Sequence, residues 1–230
     1  MSPQLAFELP HVPALGGDDF YVSASNNLAA KLVSDWPDWT NPISIVTGPQ
    51  GTGKTHLVNV WRARSGAACY TAKDMKVAVA TAVNELGPVA IEDLDHAAFD
   101  EHSAFHLLNL AREHKFDVLL TGRRPPGEWE IKLPDLRSRL RSAALVTIET
   151  PDEALLRAVL VKLFADRQLS VTPDVVDYLL PRIERTMAGA QQAVAALDKA
   201  AFAERRAVTR AFAARVIPAM ITYEASGETP

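Results

Sequence analysis

The octapeptide GPQGTGKT, residues 48–55, constrains this chain more than any other feature of its sequence. It follows the apolar run Ile43-Ser44-Ile45-Val46 and precedes a helical pattern, which is the context that a phosphate-binding loop needs. Glycines let the backbone wrap closely around phosphates, and the N-terminus of the following helix adds positive potential. The alternative is a glycine-rich strand-to-helix turn without a ligand. The complete and correctly placed match instead predicts binding of ATP or ADP with Mg²⁺.

Individual roles within the loop follow from side-chain chemistry. Lys54 is expected to reach the outer phosphates, and the hydroxyl of Thr55 is expected to be a magnesium ligand. In this segment the candidate nucleotide ligands are the loop and the next residue: Gly48, Pro49, Gln50, Gly51, Thr52, Gly53, Lys54, Thr55 and His56.

An acidic strand end is the second candidate element of the site. Glu92 and Asp93 directly follow the apolar run Val89-Ala90-Ile91. A carboxylate at such a position can hold the magnesium shell, while its neighbour orients an attacking water. Either Glu92 or Asp93 can be the metal-side acid, and a plain acidic strand end remains the bland alternative. Both residues are therefore candidate catalytic and metal-site groups.

The fold class predicted from the pattern is α/β, with a parallel sheet followed by a small all-α module. Short apolar runs without alternation are typical of strands buried on both faces, and helical patterns between them indicate βαβ crossovers. Thr150-Pro151-Asp152-Glu153 predicts a helix start capped by Thr150. The predicted organisation is a flexible tail (1–17), a nucleotide-binding domain (18–150), a helical domain (151–222) and a C-terminal tail (223–230).

Charge and cysteine content restrict the function classes. The chain has 24 basic and 28 acidic residues, a net charge of −4, which argues against coating nucleic acid through bulk positive charge. A single cysteine excludes a disulfide framework within the chain and favours a reducing compartment. Neither a signal peptide nor a membrane span is evident in the sequence, so we expect a cytoplasmic protein without membrane contact.

Three further segments complete a familiar pattern. Phe20-Tyr21-Val22 precedes the first core strand, Thr121-Gly122-Arg123-Arg124-Pro125 follows an apolar run, and Leu136-Arg137-Ser138-Arg139-Leu140 lies downstream. With the phosphate loop and the acidic strand end, they resemble the AAA+ ATPases of the DnaA type, and most closely the Hda group. The resemblance runs from about Asp18 to Met220 and implies an AAA+ core with a helical lid.

The resemblance also implies roles for single residues. Tyr21 and Val22 match the adenine-side segment of the family. Arg123 occupies the sensor 1 position, where the family usually carries a polar or acidic residue. Arg185 could reach the phosphates from one turn before the sensor 2 position, which here is Ala188.

Arg139 matches the arginine finger of the family. Such a residue neutralises transition-state charge on a phosphoryl group that a neighbouring subunit holds. The residues alone leave an alternative open, in which Arg137, Arg139 and Arg141 form a solvated helix face.

The segment Gln4-Leu5-Ala6-Phe7-Glu8-Leu9 resembles the motif by which proteins dock on the bacterial sliding clamp. In that mode Leu5 and either Phe7 or Leu9 bury in an apolar pocket, and Gln4 fixes the register. The alternative is that this segment packs on the core of its own chain.

Together these resemblances imply a regulator of replication initiation. Its expected partners are DnaA, the DNA polymerase III sliding clamp (beta subunit), and DNA indirectly through the clamp. DnaA carries a C-terminal helix-turn-helix domain, which is not expected here after the lid. Weak intrinsic hydrolysis is expected, and self-association and monomeric action both stay open. The alternatives are a self-hydrolysing ATPase motor or loader, and a non-catalytic clamp adaptor.

Overall fold

The computed structural model describes residues 11–12, 20–95 and 98–226, with side chains for 20–95 and 98–218. The chain divides into two compact units, with the division at Thr150 and Pro151. One unit is built on a sheet and the other is helical, and each has its own hydrophobic core. The Gln4–Leu9 segment predicted to bind the clamp lies outside the described residues.

The sheet unit contains a five-stranded parallel sheet with the strand order β4-β5-β6-β3-β7. A two-residue strand, β1, pairs antiparallel with β2. Strand β1 lies in the segment that the sequence predicted to be a flexible tail, and β2 lies after it. The strands are β1 (His11–Val12), β2 (Phe20–Tyr21), β3 (Ile43–Thr47), β4 (Ala68–Thr71), β5 (Val89–Glu92), β6 (Val118–Gly122) and β7 (Ala144–Thr147).

Position in the sheet decides how far each strand is buried. Every residue of β3 and β6 is buried, as expected for central strands that are covered on both faces. The edge strands differ from the sequence-based expectation, because β7 alternates between half-buried and exposed residues and β4 is only partly buried. Apolar composition alone could not distinguish an edge strand from a central one.

Helices cover both faces of the sheet. On one face, α3 (Met75–Glu85), α4 (Glu101–His114) and α5 (Pro134–Arg141) pack against the strands in one core cluster. On the other face, α1 (Asn27–Ser34) and α2 (Lys54–Ser65) form a second cluster. This is the three-layer arrangement expected of a doubly wound α/β domain.

An aromatic cluster fixes helix α2, which begins directly at the phosphate loop. Trp61 is fully buried, stacks on Trp39 at a centroid distance of 5.3 Å, and meets Trp36 edge-on at 6.4 Å. The indole N–H groups of Trp39 and Trp36 donate to the Leu32 carbonyl and to the Asp117 carboxylate. The loop before β3 thereby anchors the helix that presents the phosphate loop.

The helical unit consists of four helices within the described residues: α6 (Glu153–Asp166), α7 (Pro173–Leu179), α8 (Met187–Glu204) and α9 (Arg210–Ser226). The predicted cap of α6 at Thr150 is wrong. Asp152 is the N-cap, and its carboxylate accepts a 2.8 Å hydrogen bond from the backbone N–H of Leu155. Asp152 is the residue that caps the helix because its side-chain oxygen reaches the backbone N–H of the third helical residue. The predicted α/β class with a following all-α module is confirmed.

In the described part of the chain, no helix combines the length and apolar character that a bilayer span requires.

Candidate functional site

The phosphate loop connects the carboxyl end of β3 to the first turn of α2. Gly53 caps α2 with φ of 97°, a backbone conformation that favours glycine. At Gly48 a Cβ atom would lie 2.3 Å from the carbonyl oxygen of Ile148, so a side chain cannot fit there. The glycines therefore serve a tight turn at Gly53 and a close backbone approach at Gly48.

Lys54 lies over the loop that precedes it. Its ammonium group donates hydrogen bonds of 2.7 and 2.9 Å to the carbonyl oxygens of Gly48 and Pro49, and the residue is only 7% exposed. Burial lowers the pKa of Lys54, and the nearby carboxylate of Asp93 opposes that shift. The structure thus holds a largely desolvated cation at the mouth of the loop.

Glu92 is the acid that contacts the predicted magnesium ligand. The Thr55 hydroxyl donates a 2.5 Å hydrogen bond to the Glu92 carboxylate. The Cys69 thiol contacts the other carboxylate oxygen at 3.5 Å, and burial, followed by the Glu92 charge, raises the pKa of Cys69 to about 11. The pairing with Thr55 belongs to Glu92 and not to Asp93, which the sequence left open.

Asp93 begins the loop after β5 in a different environment. Its φ is 55°, and its backbone N–H donates a 3.0 Å bond to the Thr121 hydroxyl on β6. Its carboxylate is exposed and influences Lys54. Glu92 therefore contacts the Thr55 hydroxyl directly, whereas the Asp93 charge acts on the Lys54 ammonium group by raising its pKa.

Asp95 is a site residue that sequence reasoning missed. Its carboxylate is 2% exposed and accepts 2.9 Å hydrogen bonds from the backbone N–H groups of Arg123 and Arg124. The position of Asp95 in the sequence does not predict this contact, because the contact requires the turn after β6 to lie beside the loop after β5. These two segments are 28 residues apart in the chain, and they are neighbours because β5 and β6 are adjacent in the sheet.

The predicted adenine-side residues lie beside helix α2. Phe20 stacks on His56 with a centroid distance of 5.6 Å, which joins β2 to the first turn of α2. The carbonyl of Tyr21 accepts a 2.8 Å hydrogen bond from the Asn26 side chain, and Val22 packs at the edge of the α1–α2 core. The segment containing Tyr21 and Val22 is thereby held next to the phosphate loop.

Helix α5 separates the three candidate finger arginines. Residues two apart on a helix do not share a face, so Arg139 projects away from Arg137 and Arg141. The Arg137 guanidinium is hydrogen-bonded to the Ile131 carbonyl, and Arg141 is exposed. Within the described residues the half-buried Arg139 guanidinium makes no hydrogen bond or ion pair. A single solvated face carrying all three arginines is therefore wrong.

Arg185 belongs to the helical unit. It is exposed, directly precedes the N-cap Thr186 of α8, and lines a groove with Glu153, Arg157 and Asp177. Its predicted contact with a nucleotide stays a prediction.

The chemistry of the sheet-unit site fits a magnesium nucleotide. A helix N-terminus, a buried ammonium group and loop N–H groups are donors for phosphate oxygens. A hydroxyl next to a carboxylate suits Mg²⁺, which takes few protein ligands and completes its shell with phosphates and water. Among the described residues, no group of three His, Cys, Asp or Glu side chains forms a separate metal site.

Comparisons with known proteins agree with this geometry. Residues 152–217 match the family model described as "Hda, lid domain". The chain is similar to the chromosomal replication initiator protein DnaA of Cutibacterium acnes, with 28% identity over 73% of this chain and 38% of that protein. The resemblance to DnaA-related AAA+ proteins is confirmed.

An uncharacterized protein of Haemophilus influenzae is 24% identical over 94% of this chain and 99% of its own length. By contrast, the chain spans little more than a third of the Cutibacterium acnes DnaA.

Solved structures show the same fold. Domain III of DnaA from Thermotoga maritima superposes with a TM-score of 0.70 at 16% identity, covering 86% of this chain and 92% of that one. AMPPCP-bound DnaA from Aquifex aeolicus gives a TM-score of 0.61 at 22% identity, covering 74% and 61%. At these identities the likeness establishes an AAA+ fold, and function has to be argued from the site.

Proposed function

We propose that this chain is an Hda-like regulator that binds ADP or ATP with Mg²⁺ and promotes hydrolysis of ATP held by DnaA. The observation that carries the proposal is the coexistence of two features. The sheet unit has a phosphate loop whose Thr55 hydroxyl meets Glu92, and residues 152–217 match the Hda lid. A resident nucleotide stabilises the form that binds it, so the proposed role of this site is structural and conformational.

The nucleotide part of the proposal assigns each group one task. Lys54 and the loop N–H groups hold the phosphates, Thr55 and Glu92 hold the magnesium shell, and Tyr21 and Val22 border the base. The DnaA relative from Aquifex aeolicus, which was solved with AMPPCP, supports this assignment by analogy of fold.

The regulatory part of the proposal rests on Arg139. Its guanidinium has no internal hydrogen-bond or ion-pair partner in the described chain, whereas Leu136 and Leu140 bury the helix that carries it. A rigid helix with an uncommitted guanidinium can present five N–H donors to a phosphoryl group held by another molecule. In the proposal, DnaA supplies the ATP and the attacking water, and Arg139 stabilises the charge that develops.

The decisive measurement is the rate of ATP hydrolysis by DnaA with this protein, the sliding clamp and DNA present. Arg139→Ala is expected to lower the stimulated rate by about 10³-fold, the lower range for arginine fingers. Arg141→Ala is the matched control, because Arg141 is exposed on the same helix but projects from a different face than Arg139. It should retain stimulation within about twofold, since exposed charges contribute little.

Two rivals give different outcomes in the same assay. If the isolated chain turns over ATP rapidly without DnaA, the acids Glu92 and Asp93 serve a self-hydrolysing motor or loader. If Arg139→Ala leaves DnaA hydrolysis unchanged while clamp binding persists, the chain is a non-catalytic adaptor.

Clamp docking is a separate part of the proposal. Replacing Gln4, Leu5 and Phe7 by Ala should abolish binding to the beta-subunit clamp, because peptide-in-groove docking depends on a few buried anchors. ADP affinity of the same variant should be unchanged. Clamp binding at the parental affinity would remove this part of the proposal.

A further inference from the structure

The Glu92 side chain at the end of β5 has contacts at both of its carboxylate oxygens. One oxygen accepts the 2.5 Å hydrogen bond from the Thr55 hydroxyl, and the other lies 3.5 Å from the thiol sulfur of Cys69. A glutamate side chain has several rotatable bonds, so its carboxylate keeps one direction only where contacts hold it. The direction of the oxygen that meets Thr55 therefore depends on the contact at the oxygen that meets Cys69.

Cys69 reaches Glu92 because of the register between two neighbouring parallel strands. In this register Cys69 on β4 lies opposite Ala90 on β5, and Glu92 is two residues further along β5. Residues two apart on a strand point to the same face, so Cys69 and Glu92 share one face of the sheet. Cys69 and Ala90 both belong to the core cluster of α1 and α2. The thiol therefore contacts Glu92 on the face that carries α2, the helix that begins at the phosphate loop.

The direction of the Cys69–Glu92 hydrogen bond follows from the chemistry of its two groups. An ionised carboxylate can only accept, and the pKa of about 11 keeps the Cys69 thiol protonated at neutral pH. A thiol is a weak donor, but a charged acceptor strengthens the bond. Cys69 is therefore the donor, and Glu92 receives one hydrogen bond from β4 and one from α2.

Tyr70, the next residue of β4, has a different environment. Its side chain packs against the core cluster on the opposite face of the sheet, and its hydroxyl forms a 2.7 Å hydrogen bond with the Thr81 hydroxyl on α3. Strand β4 thus carries two adjacent polar groups, of which only the Cys69 thiol contacts the acid beside the phosphate loop.

We propose that Cys69 is a positioning residue for the magnesium side of the nucleotide site. Its thiol holds one oxygen of Glu92 and thereby directs the other toward Thr55 and the metal shell. The inference rests on the proposed function, since it needs a magnesium nucleotide in the phosphate loop. It adds β4 to a site otherwise composed of the loop and the acids near the end of β5.

The first test measures the ADP affinity of full-length variants by calorimetry, once with Mg²⁺ and once with EDTA in place of the metal. The ratio of the two affinities reports the contribution of magnesium. Cys69→Ala should lower this ratio about three- to tenfold, as expected for the loss of one hydrogen bond, and change the affinity in EDTA by less than about twofold. Cys69→Ser should recover part of the ratio, because a hydroxyl can also donate to Glu92.

Tyr70→Phe is the matched control for this measurement. It removes a hydroxyl from the neighbouring residue of the same strand, but on the other face of the sheet. Its ratio should stay within about twofold of the parent. Circular dichroism checks that each variant is folded. Should Cys69→Ala not fold, Cys69→Val also removes the donor and fills the space that the thiol leaves.

The second test asks whether Cys69 acts through Glu92. Glu92→Asp keeps the negative charge but shortens the side chain by one methylene group, which withdraws the carboxylate from the thiol. In the Glu92→Asp background, Cys69→Ala should lower the ratio by less than about a further twofold. A separate role for Cys69 would instead give losses that multiply in the double variant.

The outcomes separate this inference from the proposed function. If the parent protein binds ADP no more tightly with Mg²⁺ than with EDTA, the magnesium part of the proposed function fails, and the inference fails with it. If the parent responds to Mg²⁺ and Cys69→Ala responds equally, the inference alone is overturned. An equal loss of affinity with Mg²⁺ and with EDTA would also overturn it, because Cys69 would then support the fold and not the metal side of the site.

Discussion

The two units of this chain are built in opposite ways. The sheet unit assembles its candidate site from separate segments, the loop 48–55, the acids at 92–95 and the turn at 121–124, which meet because parallel strands end at one edge. The core of the helical unit is formed by residues from successive helices. Its match to a protein family covers one continuous stretch, residues 152–217. A family match can therefore detect the helical unit from a contiguous stretch of sequence, while the contacts between the separate segments of the sheet unit are visible only in the three-dimensional structure.

The largest expected effect concerns the core of the helical unit. Leu197 on α8 is fully buried, so Leu197→Ala should lower the free energy of unfolding by about 2–5 kcal/mol. Phe202 on the same helix is 87% exposed, and Phe202→Ala should change it by no more than about 0.5 kcal/mol. Urea denaturation followed by circular dichroism measures both. Equal effects would mean that the helical unit is not stabilised by the core described here.

The next effect tests the assembled site of the sheet unit. Lys54→Ala should weaken ADP binding about 100-fold, because the variant lacks the nearly buried ammonium group that would donate charged hydrogen bonds to the phosphates. Lys31→Ala is the control, since Lys31 forms an exposed ion pair with Asp35. Isothermal calorimetry measures both affinities. A Lys54→Ala protein that kept the parental affinity would remove the phosphate loop from the site.

Cys69 reports on the carboxylate side of the same site. The pKa of this thiol is raised from 9.0 to about 11, so at pH 8 its thiolate fraction should be about 100-fold smaller than in the unfolded chain. Alkylation of the single cysteine should be slower in the folded protein by that factor, with mass spectrometry as the readout. Glu92→Gln removes a charge that raises this pKa and should speed alkylation several-fold. Rates that do not respond to Glu92→Gln would contradict the Cys69–Glu92 contact.

The smallest effect concerns the junction where the helical unit begins. Asp152→Ala should lower the free energy of unfolding by about 1 kcal/mol, because the N–H of Leu155 loses its capping partner. Thr150→Ala is expected to have almost no effect, although the sequence favoured Thr150 as the cap. Thermal unfolding of the two variants decides between them, and a larger loss for Thr150→Ala would reverse the assignment.

Sequence patterns were sufficient to predict most of the local secondary structure and part of the candidate site. Helix α4 (Glu101–His114) is an example of local encoding, because its apolar periodicity follows Asp100, whose side chain caps the helix. The candidate phosphate loop could also be predicted from sequence, since its eight residues are contiguous and its glycines, Lys54 and Thr55 each have a chemical reason to be there. Predicting Arg139 as the candidate finger relied on resemblance, and its separation from Arg137 and Arg141 became visible only on the helix.

By itself the sequence determined the α/β class, the candidate phosphate loop and the pair of acids at the end of β5, because each depends on periodicity or on neighbouring residues. Only the tertiary structure decided that Glu92 pairs with Thr55, that β7 is an edge strand, and that Asp95 holds the backbone of Arg123 and Arg124. The physical reason is that these contacts join residues about 30 or more positions apart. Strand order and register, which local patterns do not encode, bring such residues together.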